Sequence, residues 1–283
     1  MNSTSAQKTI FIAALPFEGG AVSDYFRLKR IPGPLAYFEN DANFLAVTGV
    51  GKARCAAVTG AALSQFDSHS IGAVVNIGIA GSTDRRHRVG DLLLINKITE
   101  AATGRSYFPD MLCATQIPEE CLTTVDTVVN EHVTAIPENG LMDMEAAGFY
   151  EAASLFVGPH KIICLKMISD HLSNLSKISP VQMRQALLQN MPQVAEYVTA
   201  VLQCNAQTNA IELQPDHMAY LNQLKSKLRI TQTQYAVLSD AVRRFINAHP
   251  QQPLPDVHLT ISTKLQKKQR NQIVDELTQQ LLC

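Results

Sequence analysis

Short apolar runs alternate with glycine turns and helical patterns over roughly the first two thirds of the chain. The runs are five to ten residues long and end at glycine or polar positions. Runs of this length are typical of strands buried on both faces of a sheet rather than of long core helices. The predicted strands comprise residues 10–15, 44–48, 71–80, 91–98 and 161–169.

Helical patterns lie between and after these strands. Residues 52–66 are rich in alanine and connect two predicted strands, whereas residues 141–156 are apolar almost all round and predict a buried helix. Residues 180–203 predict a helix that breaks or bends near Pro192. A strand, a helix and a second strand in sequence require a crossover connection. The order therefore predicts an α/β fold, with a parallel or mixed sheet that has helices on its faces.

The chain changes character after Gly158, the last of its 14 glycines. From residue 205 the sequence is rich in glutamine, and two amphipathic patterns predict helices on either side of a proline-rich linker at residues 249–256. The two apolar faces consist of Leu238, Ala241, Val242 and Phe245, and of Ile273, Val274, Leu277 and Leu281. We predict a catalytic domain over residues 1–204 and a helical C-terminal extension over residues 205–283, which packs on that domain or on a second subunit.

Composition and charge narrow the class of protein. The 283 residues are 46% hydrophobic and 17% charged, enough for a sizeable core. A net charge of −1 favours neither a nucleic-acid nor a membrane partner, and nine Lys/Arg against six Asp/Glu in the extension are typical of a solvated helical face. Six cysteines without a CxxC pair indicate reduced thiols, and the first apolar run is too short for a signal peptide or membrane span. We expect a soluble, cytoplasmic protein, and the scattered histidines predict no metal or other cofactor.

Three acidic residues lie in apolar surroundings. Glu18 follows the first predicted strand, Glu145 lies within the apolar pattern of residues 141–156, and Asp170 ends the last predicted strand. Taken singly, each has an ordinary interpretation: Glu18 as a surface loop acid, Glu145 as the partner of an arginine such as Arg85, and Asp170 as a helix N-cap. In parallel sheets, however, ligands gather at the carboxyl ends of strands. A glycine turn in VVNIGIAGS, residues 74–82, would let the backbone approach such a ligand closely.

Together these features resemble the nucleoside phosphorylase/nucleosidase superfamily, and most of all its methylthioadenosine/S-adenosylhomocysteine nucleosidase branch. The resemblance covers about residues 10–203. Besides the first strand and its glutamate, it includes TGVGKARCAA, VVNIGIAGS followed by VGD, MDMEAAG, and the ISD tripeptide that ends at Asp170. It implies a three-layer α/β/α sandwich around a central mixed, partly barrel-like sheet, assembled as a homodimer or higher homo-oligomer, with a small-molecule purine nucleoside as ligand.

The resemblance also implies roles for individual residues. Asp170 is the expected general acid at purine N7, and it must still hold its proton near neutral pH. Glu145 is expected to accept hydrogen bonds from both ribose hydroxyls, with Met144 against the sugar or simply in the core. Glu18 is expected to activate water. The remaining predicted binding positions are Gly78, Ile79, Ala80, Gly81, Val128 and Ser169.

The identity of the nucleophile is the next question. Phosphorylases of this superfamily carry arginines after the first strand and just before the glycine turn, where this chain has LPFEGGAV and Asn76. Arg85, Arg86 and Arg88 follow the turn and are interpreted as solvated surface residues. Phosphate would lack a bidentate cationic partner, and Glu18 would repel it. Water is therefore the predicted nucleophile.

Two departures from the nucleosidase pattern leave alternatives open. Ile79 replaces the serine of the glycine turn, and the segment from Asp91 to Glu145 is short for that branch. In this segment Tyr107 and Phe108 either stack on a base or fill a core. The leading prediction is hydrolysis of a purine nucleoside that resembles methylthioadenosine or adenosylhomocysteine. A futalosine-like substrate is also possible, because the IGIAG segment is similar to that of futalosine hydrolases. The alternatives are a phosphate-dependent purine nucleoside phosphorylase and a non-catalytic nucleoside-binding scaffold.

Overall fold

The computed structural model describes residues 7–127, 140–171, 179–209, 213–249, 251–255 and 267–282. The chain divides into two compact units, Met1–Gln203 and Cys204–Cys283. The described residues of the first unit form ten strands: β1 (Lys8–Ala13), β2 (Lys29–Arg30), β3 (Ala36–Glu39), β4 (Asn43–Val47), β5 (Ile71–Ser82), β6 (Leu92–Glu100), β7 (Ser106–Tyr107), β8 (Glu119–Thr124), β9 (Leu141–Asp143) and β10 (Ile162–Asp170). Its helices are α1 (Pro16–Phe26), α2 (Lys52–Leu63) and α3 (Ala146–Ala153), and α4 (Pro180–Asn209) begins in it.

One mixed sheet contains all ten strands. The central strand β5 pairs in parallel with β1 and β10, and it pairs antiparallel with β9 through Gly81 and Ser82. Strand β10 also pairs antiparallel with β6, and β6, β8 and β9 pair in parallel. Strands β5, β10, β6, β8 and β9 therefore form a closed ring. The expected mixed, partly barrel-like sheet is confirmed.

Two apolar layers cover the two faces of this sheet. Along β10, Ile162, Cys164 and Ile168 face one cluster, whereas Ile163, Leu165 and Met167 face the other, which is the period-two alternation of a strand buried on both sides. The first cluster includes apolar residues of α2 and α3, and the second includes residues of α1 and α4. The predicted three-layer α/β/α sandwich is confirmed.

Residues 141–156 do not form the single helix that their apolar pattern predicts. Leu141, Met142 and Asp143 form β9, because they pair with β8 on one side and with the end of β5 on the other. Helix α3 begins only at Ala146, whose backbone N–H donates to Asp143 Oδ2 at 2.8 Å. Periodicity misleads here because a strand and a helix that are both buried all round have the same apolar composition.

The predicted helix over residues 180–203 is present as α4, and the break that Pro192 could cause does not occur, since α4 runs from Pro180 to Asn209 with Pro192 inside it. Met191 and Val194, on either side of the proline, are fully buried in the cluster beneath the sheet. Packing of this apolar face compensates for the backbone hydrogen bond that proline cannot donate.

The second unit has a helical core of its own. It contains α5 (Pro215–Leu228), α6 (Gln232–Ala248) and α7 (Lys267–Leu282). The predicted apolar faces are buried at every position except Ile273, which is partly buried. The Thr231 hydroxyl accepts from the Gln234 backbone N–H and so caps α6. Among the helices in the described ranges, none combines the length and the apolar character needed to cross a bilayer.

Helices α2 and α3 pack so closely that one glycine is required between them. A Cβ atom on Gly148 would lie 2.2 Å from the Lys52 backbone carbonyl oxygen, whereas a Cβ on Gly60, also in a helix, would meet nothing within 4 Å. We expect Gly148→Ala to lower the free energy of unfolding by about 1–3 kcal/mol. Gly60→Ala should instead raise it by about 0.5–1 kcal/mol, because alanine favours the helix. Urea denaturation of both variants tests this, and equal effects would contradict it.

Candidate active site

A pocket of about 250 Å³ opens at the carboxyl ends of β1, β5 and β10. Glu18, Glu145 and Asp170, which are distant in sequence, all line it. Most of its wall is apolar, and none of its described lining residues is basic. The lining residues are Ala14, Leu15, Glu18, Val50, Ile79, Ala80, Gly81, Val125, Met142, Asp143, Met144, Glu145, Ser169 and Asp170.

Glu18 is held by the backbone at the start of α1. Its Oε2 accepts from the N–H groups of Ala14 and Leu15 at 2.8 and 2.7 Å, and its Oε1 accepts from the Ile79 N–H at 3.0 Å. The residue is only 2% exposed. A carboxylate has about four acceptor positions, so about one, on Oε1, is left over from these three bonds. The geometry therefore fixes the carboxylate and keeps one acceptor for a ligand or water.

Burial raises the pKa of Glu18 to about 7, and the backbone donors and the Lys166 ammonium group limit the rise. Because of this value, Glu18 changes between carboxylic acid and carboxylate close to neutral pH. A group that titrates near the working pH is well suited to general acid–base catalysis.

The raised pKa of Glu18 also has a consequence for stability. In the unfolded chain the carboxyl group has its ordinary pKa of 4.5 and loses its proton near pH 4.5, whereas in the folded state it keeps the proton up to about pH 7. The stabilisation is thus complete below 4.5 and is lost as the pH rises to about 7. Between about pH 5 and about pH 7.5, we expect the free energy of unfolding of the wild type to fall by about 2 kcal/mol relative to that of Glu18→Gln. Denaturant titrations across this range measure the difference, and parallel pH dependences would contradict it.

Glu145 lies directly before α3 and not inside a helix. Its Oε1 accepts from the Gly51 N–H at 2.8 Å, and its Oε2 accepts from the Met144 N–H at 3.3 Å. Gly51 precedes α2 and has a φ of +104°, a conformation that favours glycine. The side chain is buried, and about two of its acceptor positions remain for a ligand.

Asp170 ends β10 at the rim of the pocket. Its Oδ2 accepts from the Ser169 hydroxyl at 2.6 Å, and this hydroxyl also lies 3.1 Å from the Ala80 carbonyl oxygen. Asp170 is opposite Gly81 of β5, after a shift in the strand register. The shift leaves both Ser169 and Asp170 in the pocket wall.

The glycine segment of residues 78–81 belongs to β5 and is not a turn, because β5 continues to Ser82 through its pairing with β9. Ile79, Ala80 and Gly81 line the pocket. Gly78 lies behind them, where a Cβ atom would be 3.1 Å from Glu18 Oε1 and 3.4 Å from Lys166 Nζ. The absence of a side chain at Gly78 therefore makes room for the Glu18 carboxylate.

The other predicted positions have mixed outcomes. Met144 and Ser169 line the pocket, and Val128 lies outside the described residues. Tyr107 packs on the core, 5.3 Å from the Tyr150 ring, and Phe108 is 58% exposed; neither lines the pocket. Arg85, Arg86 and Arg88 are exposed, as predicted.

Sequence reasoning missed a buried ion pair whose acid, Asp143, is a fourth acid in the pocket lining. Lys166 Nζ lies 2.9 Å from Asp143 Oδ2, and the two side chains are 2% and 0% exposed. The available signals were a lysine within the apolar strand segment IICLKMIS and a second acid two residues before Glu145. Among the described residues, no group of three or more His, Cys, Asp or Glu is arranged to hold a metal ion.

Comparison with known proteins identifies the fold. Residues 36–133 match the family model of the phosphorylase superfamily. The resemblance of the chain to that superfamily is thus confirmed. No curated protein matches the sequence.

Solved structures of the superfamily match the fold over most of their length. The 5′-methylthioadenosine/S-adenosylhomocysteine nucleosidase from Neisseria meningitidis, in complex with methylthio-immucillin-A, has a TM-score of 0.56 at 16% identity, covering 69% of this chain and 98% of that one. The corresponding enzyme from Colwellia psychrerythraea 34H, in complex with adenine, has a TM-score of 0.53 at 18% identity. That match covers 70% of this chain and 95% of the Colwellia chain. The 5′-methylthioadenosine nucleosidase from Arabidopsis thaliana has a TM-score of 0.54 at 15% identity, and the match covers 68% of this chain and 96% of the Arabidopsis chain.

Proposed function

We propose that the first unit hydrolyses the N-ribosidic bond of a purine nucleoside. The observation that carries the proposal is the convergence of Glu18, Glu145 and Asp170 on one largely apolar pocket. Glu18 and Glu145 are buried and Asp170 is partly buried, and acids in such a place are costly unless they are paired or serve a ligand or reaction. Their different hydrogen-bond partners suit them to three different tasks.

The proposed reaction divides these tasks as in inverting glycosidases, where one carboxyl group protonates the leaving group and another activates water. The bond between C1′ and N9 breaks, and its electron pair leaves with the base. Asp170 gives its proton to N7, and Glu18 takes a proton from the water whose oxygen bonds to C1′. Glu145 uses its remaining acceptor positions for the two ribose hydroxyls. The products are the free base and the free sugar.

Two features of the pocket favour water over phosphate as the nucleophile. None of the described lining residues is basic, so a phosphate dianion would meet no cationic partner there. The Glu18 carboxylate and the apolar Ile79 side chain occupy the side of the pocket next to β5. A neutral water molecule satisfies the remaining Glu18 acceptor, whereas phosphate would be repelled by it.

The substrate class is proposed from the fold neighbours and the lining. The bacterial neighbours are named as methylthioadenosine/S-adenosylhomocysteine nucleosidases, and one of them contains adenine. The apolar lining residues Val50, Val125 and Met142 are compatible with a base and an apolar 5′ substituent. We therefore propose a methylthioadenosine-like or adenosylhomocysteine-like substrate, with futalosine as the alternative. A cytoplasmic location and a homo-oligomeric state remain predictions from the sequence.

Release of free base tests the proposal. The purified chain is incubated with methylthioadenosine, adenosylhomocysteine, inosine and futalosine, with and without phosphate, and the products are separated by chromatography. We expect free base and free sugar from at least one nucleoside without phosphate. Release that depends wholly on phosphate, with a sugar 1-phosphate as the second product, would instead establish a phosphorylase.

A non-catalytic nucleoside-binding scaffold is the second candidate, because Ile79 stands where the nucleosidase pattern has serine and so contributes no hydroxyl to the pocket. This candidate predicts tight binding of an adenine nucleoside by calorimetry with no base released in a long incubation. The hydrolase predicts turnover of the same ligand.

A further inference from the structure

The buried ion pair of Lys166 and Asp143 is only partly explained by the fold, in which Asp143 accepts from the first N–H of α3. On β10, Lys166 occupies the position between Cys164 and Ile168 that faces the core cluster of α2 and α3. A buried ion pair is a weak source of stability, because desolvation of the two charges offsets their attraction. An apolar side chain would fill this position at a lower electrostatic cost. The pair therefore calls for a functional explanation.

Asp143 is held in place by three partners. Its Oδ1 accepts from the Thr124 hydroxyl at 2.7 Å, and its Oδ2 accepts from the Ala146 N–H at 2.8 Å and from Lys166 Nζ at 2.9 Å. Burial disfavours the Lys166 ammonium group, but the attraction of nearby groups, of which Asp143 contributes most, together outweighs burial and raises the pKa of Lys166. Lys166 is therefore a permanent cation whose position Asp143 determines.

This cation lies beside Glu18. Glu18 Oε1 and Lys166 Nζ are 3.1 and 3.4 Å from the same point, the position that a Gly78 Cβ would take. The attraction of the ammonium group is among the effects that lower the pKa of Glu18 against the larger effect of burial. The other titratable groups near Lys166 or in the pocket are Cys55 on α2, Cys164 on β10, Glu145 before α3 and Asp170 at the end of β10.

We infer that Asp143 is a positioning residue: it holds the Lys166 ammonium group beside Glu18, and this cation extends to lower pH the range in which Glu18 acts as a base. The inference rests on the proposed hydrolysis for its catalytic consequence, but the charge arrangement itself is independent of the substrate. Without the cation, Glu18 would keep its proton to a higher pH. With it, the carboxylate is available near neutrality although its surroundings are apolar.

A charge-balanced set of variants tests this inference. Lys166→Met and Asp143→Asn each leave one buried charge without its partner, so each should lower the melting temperature more than the double variant does. A second double variant, Lys166→Gln with Asp143→Asn, retains polar groups that can pair. Lys161→Met is the control, because it removes another buried ammonium group, which donates to the Ile71 carbonyl oxygen and does not line the pocket.

Infrared titration of the Glu18 carboxyl, assigned by its loss in Glu18→Gln, is the first measurement. In both double variants we expect the midpoint to rise by about one pH unit or more, because an opposite charge nearby normally lowers a carboxyl pKa by that amount. The Lys161→Met midpoint should stay where the wild type has it. An unchanged midpoint in the double variants would overturn the inference.

The pH profile of base release is the second measurement. Its acid limb should move upward together with the infrared midpoint in the double variants. If the wild type releases no base from any nucleoside, the proposed function fails, and the infrared titration still decides the role of Asp143. If the wild type is active and neither midpoint moves, the proposed function stands and the inference is wrong.

Discussion

Replacing Asp170 with asparagine is expected to lower kcat for base release by about 10²- to 10⁴-fold. Asparagine has nearly the same shape, and its carbonyl oxygen can still accept from the Ser169 hydroxyl, which is 2.6 Å from Asp170 Oδ2. It carries no acidic proton, however, so the purine would have to depart as an anion. The loss should therefore fall on kcat rather than on KM.

The measurement compares steady-state kinetics of the wild type and Asp170→Asn on the best nucleoside of the panel. Asp41→Asn, at an exposed loop position, is the matched control and should be unaffected. A 4-nitrophenyl riboside adds a sharper comparison, because its leaving group needs no protonation and should be cleaved by the variant at close to the wild-type rate. A variant that keeps most of its activity on the nucleoside would exclude Asp170 as the general acid.

Glu18→Gln is expected to cause the second large loss, again about 10²- to 10⁴-fold in kcat. Glutamine cannot take a proton from water, and its NH₂ group would face at least one backbone N–H that now donates to the carboxylate. Glu151→Gln, which changes an exposed glutamate paired with Arg105, is the matched control.

The pH profile identifies the role of Glu18 more sharply than the rate. Because burial raises its pKa to about 7, the base form disappears as the pH falls below that value. Wild-type kcat should thus fall about tenfold for each pH unit below about 7, and this limb should be absent from the residual activity of Glu18→Gln. An acid limb that persists unchanged in the variant would assign it to another group.

Much of the fold could be predicted from the sequence, because the strands and helices are encoded locally. Each predicted strand corresponds to an observed strand with ends that differ by no more than two residues, and helices α6 and α7 of the second unit have the predicted apolar faces, whereas α5 was not predicted. Burial on one or both faces produces these periodicities, and they are visible without tertiary contacts. The three pocket acids could be selected for a related reason: a carboxyl group at the end of an apolar strand, or within an apolar stretch, is costly unless it has a partner.

Tertiary structure alone decided the features that involve two or more distant segments. Pairing with β5 and β8 made residues 141–143 a strand, although their pattern also suits a buried helix. The ring closure through β10 and β6 placed Lys166 against Asp143, and the approach of α1 to β5 placed Glu18 against Gly78. Apolar patterning determines which face of an element is buried. It does not determine which charged groups meet inside the core, because that depends on strand order and register, which are set by contacts across the whole sheet.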